Sequence, residues 1–229
     1  MQARAVLLVC VAALFTLTPL MLPEFRGYDP EDFWITITDP AAQPPRVTFL
    51  IWFVIYPGLL AHALHGLAKH AEDRAWDANR LMLIAAMLLG IFWVSLAETL
   101  PIFASGIMFV MALAALIALF RTGQGSFWQQ TPVAFFAGWV TAAAGMAWGV
   151  TLAGLGALSN VASAYVMLCA VLIVAICVQR ALGRVPAFAA AIVWALIGVA
   201  AGNWDIHPEL VQAALIGAGI MAVTPYLPT

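Results

Sequence analysis

The chain consists of long apolar stretches separated by short polar segments. The stretches are apolar on all sides, and most are close to the 20 or so residues that a helix needs to cross a bilayer. Strands of a membrane barrel would instead alternate between apolar and polar residues. The pattern therefore predicts eight membrane-spanning helices, over residues 5–22, 47–68, 81–97, 102–120, 132–155, 161–178, 186–202 and 210–226. We expect the first span to be an anchor helix rather than a signal peptide.

The composition places the whole chain in a membrane. Of the 229 residues, 65% are hydrophobic and only 9% are charged, and the mean hydropathy is +1.01. One water-soluble core cannot bury so much apolar surface, so we expect an all-α, polytopic helical bundle whose main partner is the lipid bilayer. The net charge of −2 leaves no basic surface of the kind that binds nucleic acid.

The basic residues predict an orientation, because cytoplasmic loops carry an excess of Lys and Arg. With eight spans and a cytoplasmic N-terminus, seven of the nine basic residues fall inside, and only Arg26 and Arg46 fall outside. Both termini are then cytoplasmic. The outer side collects the acidic residues Glu24, Asp29, Glu31, Asp32, Asp39, Glu98, Asp205 and Glu209.

Residues that usually carry chemistry are sparse. Cys10, Cys169 and Cys177 all lie in apolar spans without a CxxC pair, so neither a disulfide framework nor a zinc site is indicated. No Ser/His/Asp arrangement or membrane-embedded acid–base pair is visible, and we therefore expect neither an enzyme nor a covalently attached cofactor.

Four aromatic residues line up where the second span begins. Phe49, Trp52, Phe53 and Tyr56 stand at i, i+3, i+4 and i+7 and share one helical face. Spacing alone allows core or lipid-facing packing as well as a ligand wall. The surrounding pattern Pro-Pro-x-x-x-Phe-x-x-Trp-x-x-Ile-Tyr, from Pro44 onward, resembles the entry to the second helix of the TspO/MBR family, the tryptophan-rich sensory or translocator proteins.

The resemblance continues in two later spans. The third keeps a family tryptophan as Trp93, with Gly90 where the family carries Asn. The fifth keeps Trp139 and Ala143 of a Pro-Tyr-x-x-Trp-x-x-x-Ala pattern, but Met146 and its neighbours replace the family's polar helix end. The loop over 23–46 corresponds in position to the family's ligand-covering loop, without its Lys-Pro-x-Trp sequence. It is either a lid or a solvated connector.

The resemblance covers residues 1–155 as a five-helix bundle. Residues 156–229 then add three further helices, as in longer bacterial relatives, and we expect a multi-pass protein of the bacterial inner membrane. Family resemblance implies an apolar pocket for porphyrin, haem, bacteriochlorophyll, another tetrapyrrole or a sterol-like molecule, in sensing, transport or handling of that ligand. The corresponding residues are Phe49, Trp52, Phe53, Tyr56, Trp93, Phe135, Trp139, Ala143 and Met146.

Two features favour alternatives. His62 and His65 point about 240° and 180° away from Tyr56 on a helical wheel, so they serve either interhelical hydrogen bonding or axial ligation of a tetrapyrrole held by a neighbouring subunit. Small residues recur every four positions along the fifth span, a ridge suited to close helix packing within the chain or in a homodimer. A structural or assembly subunit of a photosynthetic or respiratory complex is therefore a second hypothesis. The ridge residues are Ala137, Thr141, Gly145, Gly149 and Ala153.

Overall fold

The computed structural model describes residues 1–21, 28, 30–97 and 99–227. Every regular element in these ranges is helical, which confirms the all-α prediction. The long helices are α1 (Gln2–Met21), α2 (Trp52–His70), α3 (Arg74–Ala97), α4 (Pro101–Thr122), α5 (Phe127–Gly154), α6 (Asn160–Leu182), α7 (Pro186–Gly202) and α8 (Pro208–Val223). Short 3₁₀ helices cover Pro30–Asp32, Arg46–Ile51 and Thr224–Tyr226. Glu24, Arg26, Asp29 and Glu98, which entered the charge count, lie outside the described residues.

Seven of the helices are long and apolar enough to cross a membrane. The second of these spans, Arg46–His70, joins a 3₁₀ helix to α2. The remaining long helix, α7, is apolar but has only 17 residues, which is the lower limit for a spanning helix. The polytopic bundle is thus confirmed, while the cytoplasmic placement of the termini stays a prediction.

Helix α5 is the centre of the bundle. It buries 78% of its apolar window, against at most 50% in the other spans, and packs against α2, α4, α6 and α7. Its small residues permit this, because a Cβ at Gly138 would lie 2.5 Å from the Phe188 carbonyl oxygen of α7, and one at Gly145 would lie 2.3 Å from Val171 of α6. All five residues of the small-residue ridge are buried, so the ridge packs within the chain.

Two predicted helix boundaries were wrong. Helix α3 begins at Arg74 rather than at 81, because the Asp73 carboxylate caps it by accepting the Ala75 N–H at 2.8 Å. Arg80 consequently lies inside α3 and is buried, and its guanidinium donates to the carbonyls of His70 at 2.7 Å and Ala71 at 3.0 Å. Arg80, which the predicted spans left in the basic loop over residues 69–80, instead binds the end of α2.

The predicted start of the fifth span at Pro132 was also wrong, since α5 begins at Phe127 and contains this proline. Proline lacks an N–H, so the carbonyl of Trp128, four residues earlier, has no intrahelical donor. His62 of α2 supplies one, with Nδ1 2.9 Å from that oxygen. The histidine thus allows α5 to continue through a proline that the sequence suggested as a start.

Candidate functional site

The first five helices and the loop before α2, here called the outer loop after its predicted side of the membrane, enclose a cavity of about 680 Å³. It lies in the half of the bundle nearest that loop, which contributes Tyr28, Gln43 and Pro44 to its walls. Its remaining walls are mainly aromatic and aliphatic. They are formed by Phe15, Thr16, Pro19, Leu20, Phe49, Trp52, Phe53, Tyr56, Pro57, Gly90, Trp93, Val94, Met108, Met111, Trp139, Ala143, Met146, Ala147 and Val150.

The structure brings together eight of the nine residues predicted for a ligand site. These eight are Phe49, Trp52, Phe53, Tyr56, Trp93, Trp139, Ala143 and Met146. The ninth, Phe135, packs against the core without lining the cavity. It lies one helical turn from Trp139, on the side away from the loop, and so beyond the end of the cavity.

The aromatic rings form an ordered group. Trp52 and Tyr56 stack with centroids 4.9 Å apart and planes at 20°, and the edge of Phe15 meets both rings. Trp139 is fully buried and contacts Phe49 and Trp52 edge to face, at 5.9 Å and 6.2 Å. Packing on several sides holds the rings in place, so the wall is formed before any ligand arrives.

A small polar cluster holds the loop over the cavity. Ser105 Oγ of α4 lies 3.3 Å from the Tyr28 hydroxyl and 2.8 Å from Thr151 Oγ1 of α5. Burial raises the pKa of Tyr28 to about 12, so its phenol stays protonated at any physiological pH. Trp93 donates its indole N–H to the Ala104 carbonyl at 3.0 Å, which joins α3 to α4 beside this cluster.

The cavity is electrically neutral and opens on one side. No Lys, Arg, Asp or Glu of the described residues lines it. Leu20 of α1 and Phe53 of α2 line it and are also 83% and 77% exposed, so it reaches the surface between these two helices. Both positions lie in helices that are long and apolar enough to cross a membrane.

The histidines of α2 lie away from the cavity. His62 stacks on Trp76 at 5.1 Å, and His65 stacks on Trp128 at 5.8 Å. Neither contributes to the cavity wall, so neither ligates a ring held there.

A family profile described as TSPO-like protein matches residues 4–227. The chain belongs to this TSPO-like family. No curated protein and no solved structure matches it. The profile match extends past the last long helix, α8, of this TSPO-like chain, whereas the motifs that carry the resemblance in the sequence end before residue 155. The division at 155 stays a prediction.

Helices α6 and α7 of the TSPO-like bundle hold the outer loop. Asn160 at the start of α6 bonds the loop twice, accepting the Ala41 N–H at 2.8 Å and donating to the Asp39 carbonyl at 2.9 Å. Asn203, after α7, donates to the Ala41 carbonyl at 2.9 Å. Trp194 of α7 donates to the Thr48 carbonyl at 2.7 Å. The loop that covers the cavity is therefore fixed by helices that do not line it.

Sequence reasoning missed the contributions of α1 and α4 to this TSPO-like cavity. Phe15 on α1 and Met108 and Met111 on α4 all line it. Single apolar residues within uniformly apolar spans carry no positional signal, so only the packing reveals them. The one available clue was Gly90, since a missing side chain in a helix suggests a close neighbour.

Proposed function

We propose that this TSPO-like membrane protein binds a flat, apolar molecule, a tetrapyrrole or a sterol-like compound, in sensing, transport or handling of that ligand in a bacterial inner membrane. The observation that carries the proposal is the preformed aromatic cavity beneath an anchored loop. A volume of about 680 Å³ falls among ligand pockets of about 300 to 1,000 Å³. Trp52 and Tyr56 would offer faces on which a conjugated ring or a sterol skeleton stacks.

The absence of charge in the described walls favours a neutral ligand. A carboxylate held in a low-dielectric cavity without a cationic partner is strongly disfavoured. A porphyrin would therefore direct its carboxylates toward the opening near Leu20 and Phe53, and its uncharged ester would bind more tightly. Beside the cavity, the buried indole N–H of Trp139 has no hydrogen-bond partner among the described residues.

The opening between α1 and α2 suits a ligand that is already dissolved in the bilayer. An apolar molecule partitions into lipid, and an opening at Phe53 would admit it without passage through water. This route also explains why the loop can stay fastened by Asn160 and Asn203 while ligand enters from the side.

Titration with protoporphyrin IX and its dimethyl ester tests the proposal. The purified full chain is titrated in detergent while the Soret absorption of the porphyrin is followed. Wild type is compared with Trp52→Ala and with Trp34→Ala, a control whose indole is exposed and outside the cavity. We expect saturable binding that is tighter for the ester, weakened about tenfold or more by Trp52→Ala through loss of stacking and apolar contact, and unchanged in the control.

Two results would reject the cavity as the binding site. The first is unsaturable uptake of both porphyrins and of a sterol competitor. The second is equal binding by wild type and Trp52→Ala.

A further inference from the structure

A second pocket lies at the opposite end of the bundle from the aromatic cavity. It has a volume of about 410 Å³ and is lined by Arg4, Arg74, Asp77, Ala78, Leu81 and Arg121. The three arginines come from three helices, because α1 and α3 begin here and α4 ends here. Helix α3 packs against both of the others, so one surface carries three guanidinium groups.

The acidic residue in this pocket does not neutralise it. Asp77 Oδ2 lies 2.8 Å from Arg4, while Oδ1 lies 3.3 Å from the buried Arg80. One carboxylate is thus shared between two arginines. Arg74 and Arg121 form no ion pair with any residue that the structure describes, so the pocket keeps a surplus of positive charge.

The surroundings of these two arginines match a lipid head group. A guanidinium fork binds phosphate oxygens in a bidentate manner. Leu81 lines the same pocket and is 51% exposed within a spanning helix, which places apolar surface for an acyl chain directly beside the charge. The charge count predicts that this end is cytoplasmic, where anionic lipids attract basic segments.

We propose that Arg74 and Arg121, with Arg4, bind the phosphate of an anionic phospholipid, whose acyl chain lies over Leu81. The site is separate from the aromatic cavity and does not depend on what that cavity binds. Free phosphate shares the head group's chemistry. The exposed Leu81 is what favours the lipid.

Native mass spectrometry of the detergent-purified full chain tests this site. Retention of phosphatidylglycerol is compared with that of phosphatidylcholine in wild type, in Arg74→Gln/Arg121→Gln and in a control, Lys69→Gln/Arg180→Gln. The control removes the same charge from exposed residues at the same predicted membrane face, outside the pocket. We expect wild type and control to retain phosphatidylglycerol in preference to phosphatidylcholine. The pocket variant should retain about tenfold less phosphatidylglycerol than wild type.

A third variant and a competitor sharpen the test. Arg74→Lys/Arg121→Lys keeps the charge without the fork, and should bind at an intermediate level if phosphate is held bidentately. Millimolar inorganic phosphate should leave lipid retention intact. Displacement of the lipid by phosphate would overturn the lipid assignment in favour of a free anion. Equal losses in the control and pocket variants, or no preference for phosphatidylglycerol, would overturn the site itself.

Discussion

Gly90 shows how one residue shapes the cavity. A Cβ at this position would lie 2.6 Å from Cε2 of Phe15 and 3.0 Å from Cε of Met111. The space that a side chain at position 90 of α3 would occupy is therefore filled by Phe15 of α1 and Met111 of α4. Position 90 therefore contributes apolar packing beside the cavity.

Adding a methyl group at Gly90 should therefore destabilise the bundle. Gly90→Ala forces the buried Phe15 ring to shift and should cost about 1 to 3 kcal/mol through overpacking. Gly106→Ala on α4 is the matched control, because its Cβ would meet no atom within 4 Å, and the change should be neutral or slightly stabilising. Thermal unfolding in detergent compares the two. Equal melting temperatures would show that the Phe15 contact imposes no constraint.

At the scale of elements, long apolar runs located the helices but not all of their ends. Eight apolar runs predicted eight helices, and the all-α bundle followed from composition alone. The start of α3 depended on a cap and on the buried Arg80, which makes long-range bonds to the end of α2. The passage of α5 through Pro132 depended on His62, a residue 70 positions earlier in the chain. Contacts of this kind leave no local signal.

The anchoring of the outer loop by α6 and α7 leads to a second prediction. Asn203→Ala removes the bond to the Ala41 carbonyl and leaves that buried oxygen without its donor, at a cost of about 1 to 3 kcal/mol. Hydrogen exchange over residues 35–45 should become faster. Gln212→Ala, an exposed position on α8, should leave exchange unchanged. Identical protection in both variants would mean that the loop is held elsewhere.

At the scale of the whole molecule, the aromatic stripe of α2 was the most informative part of the sequence. Its four rings line one cavity, because i, i+3, i+4 and i+7 positions share a face wherever the helix packs; that they bind a ligand stays a prediction. The sequence could not reveal that α1 and α4 complete the walls. Nor could it reveal that α6 and α7 hold the covering loop, since those contacts join residues more than 100 positions apart.

Membrane orientation is testable with two matched cysteines. Glu72→Cys and Asp205→Cys each replace an exposed acid between helices, in a chain whose native cysteines are changed to alanine. Seven basic residues on one side predict that position 205 faces outward and position 72 faces the cytoplasm. A membrane-impermeant maleimide applied to intact cells should label only Asp205→Cys, and Glu72→Cys only after lysis. The reverse labelling would invert the topology.

The measurement that tests the central claim most directly is porphyrin binding by a chain whose cavity has been filled. Ala143 lines the cavity, and Ala143→Trp adds a bulky side chain there while leaving every existing aromatic residue in place. Ala190→Trp adds the same side chain to an exposed position on α7 and serves as the control. If the cavity is the ligand site, Ala143→Trp abolishes saturable binding of protoporphyrin IX dimethyl ester and Ala190→Trp retains it. Normal binding by a correctly folded Ala143→Trp chain would contradict the account.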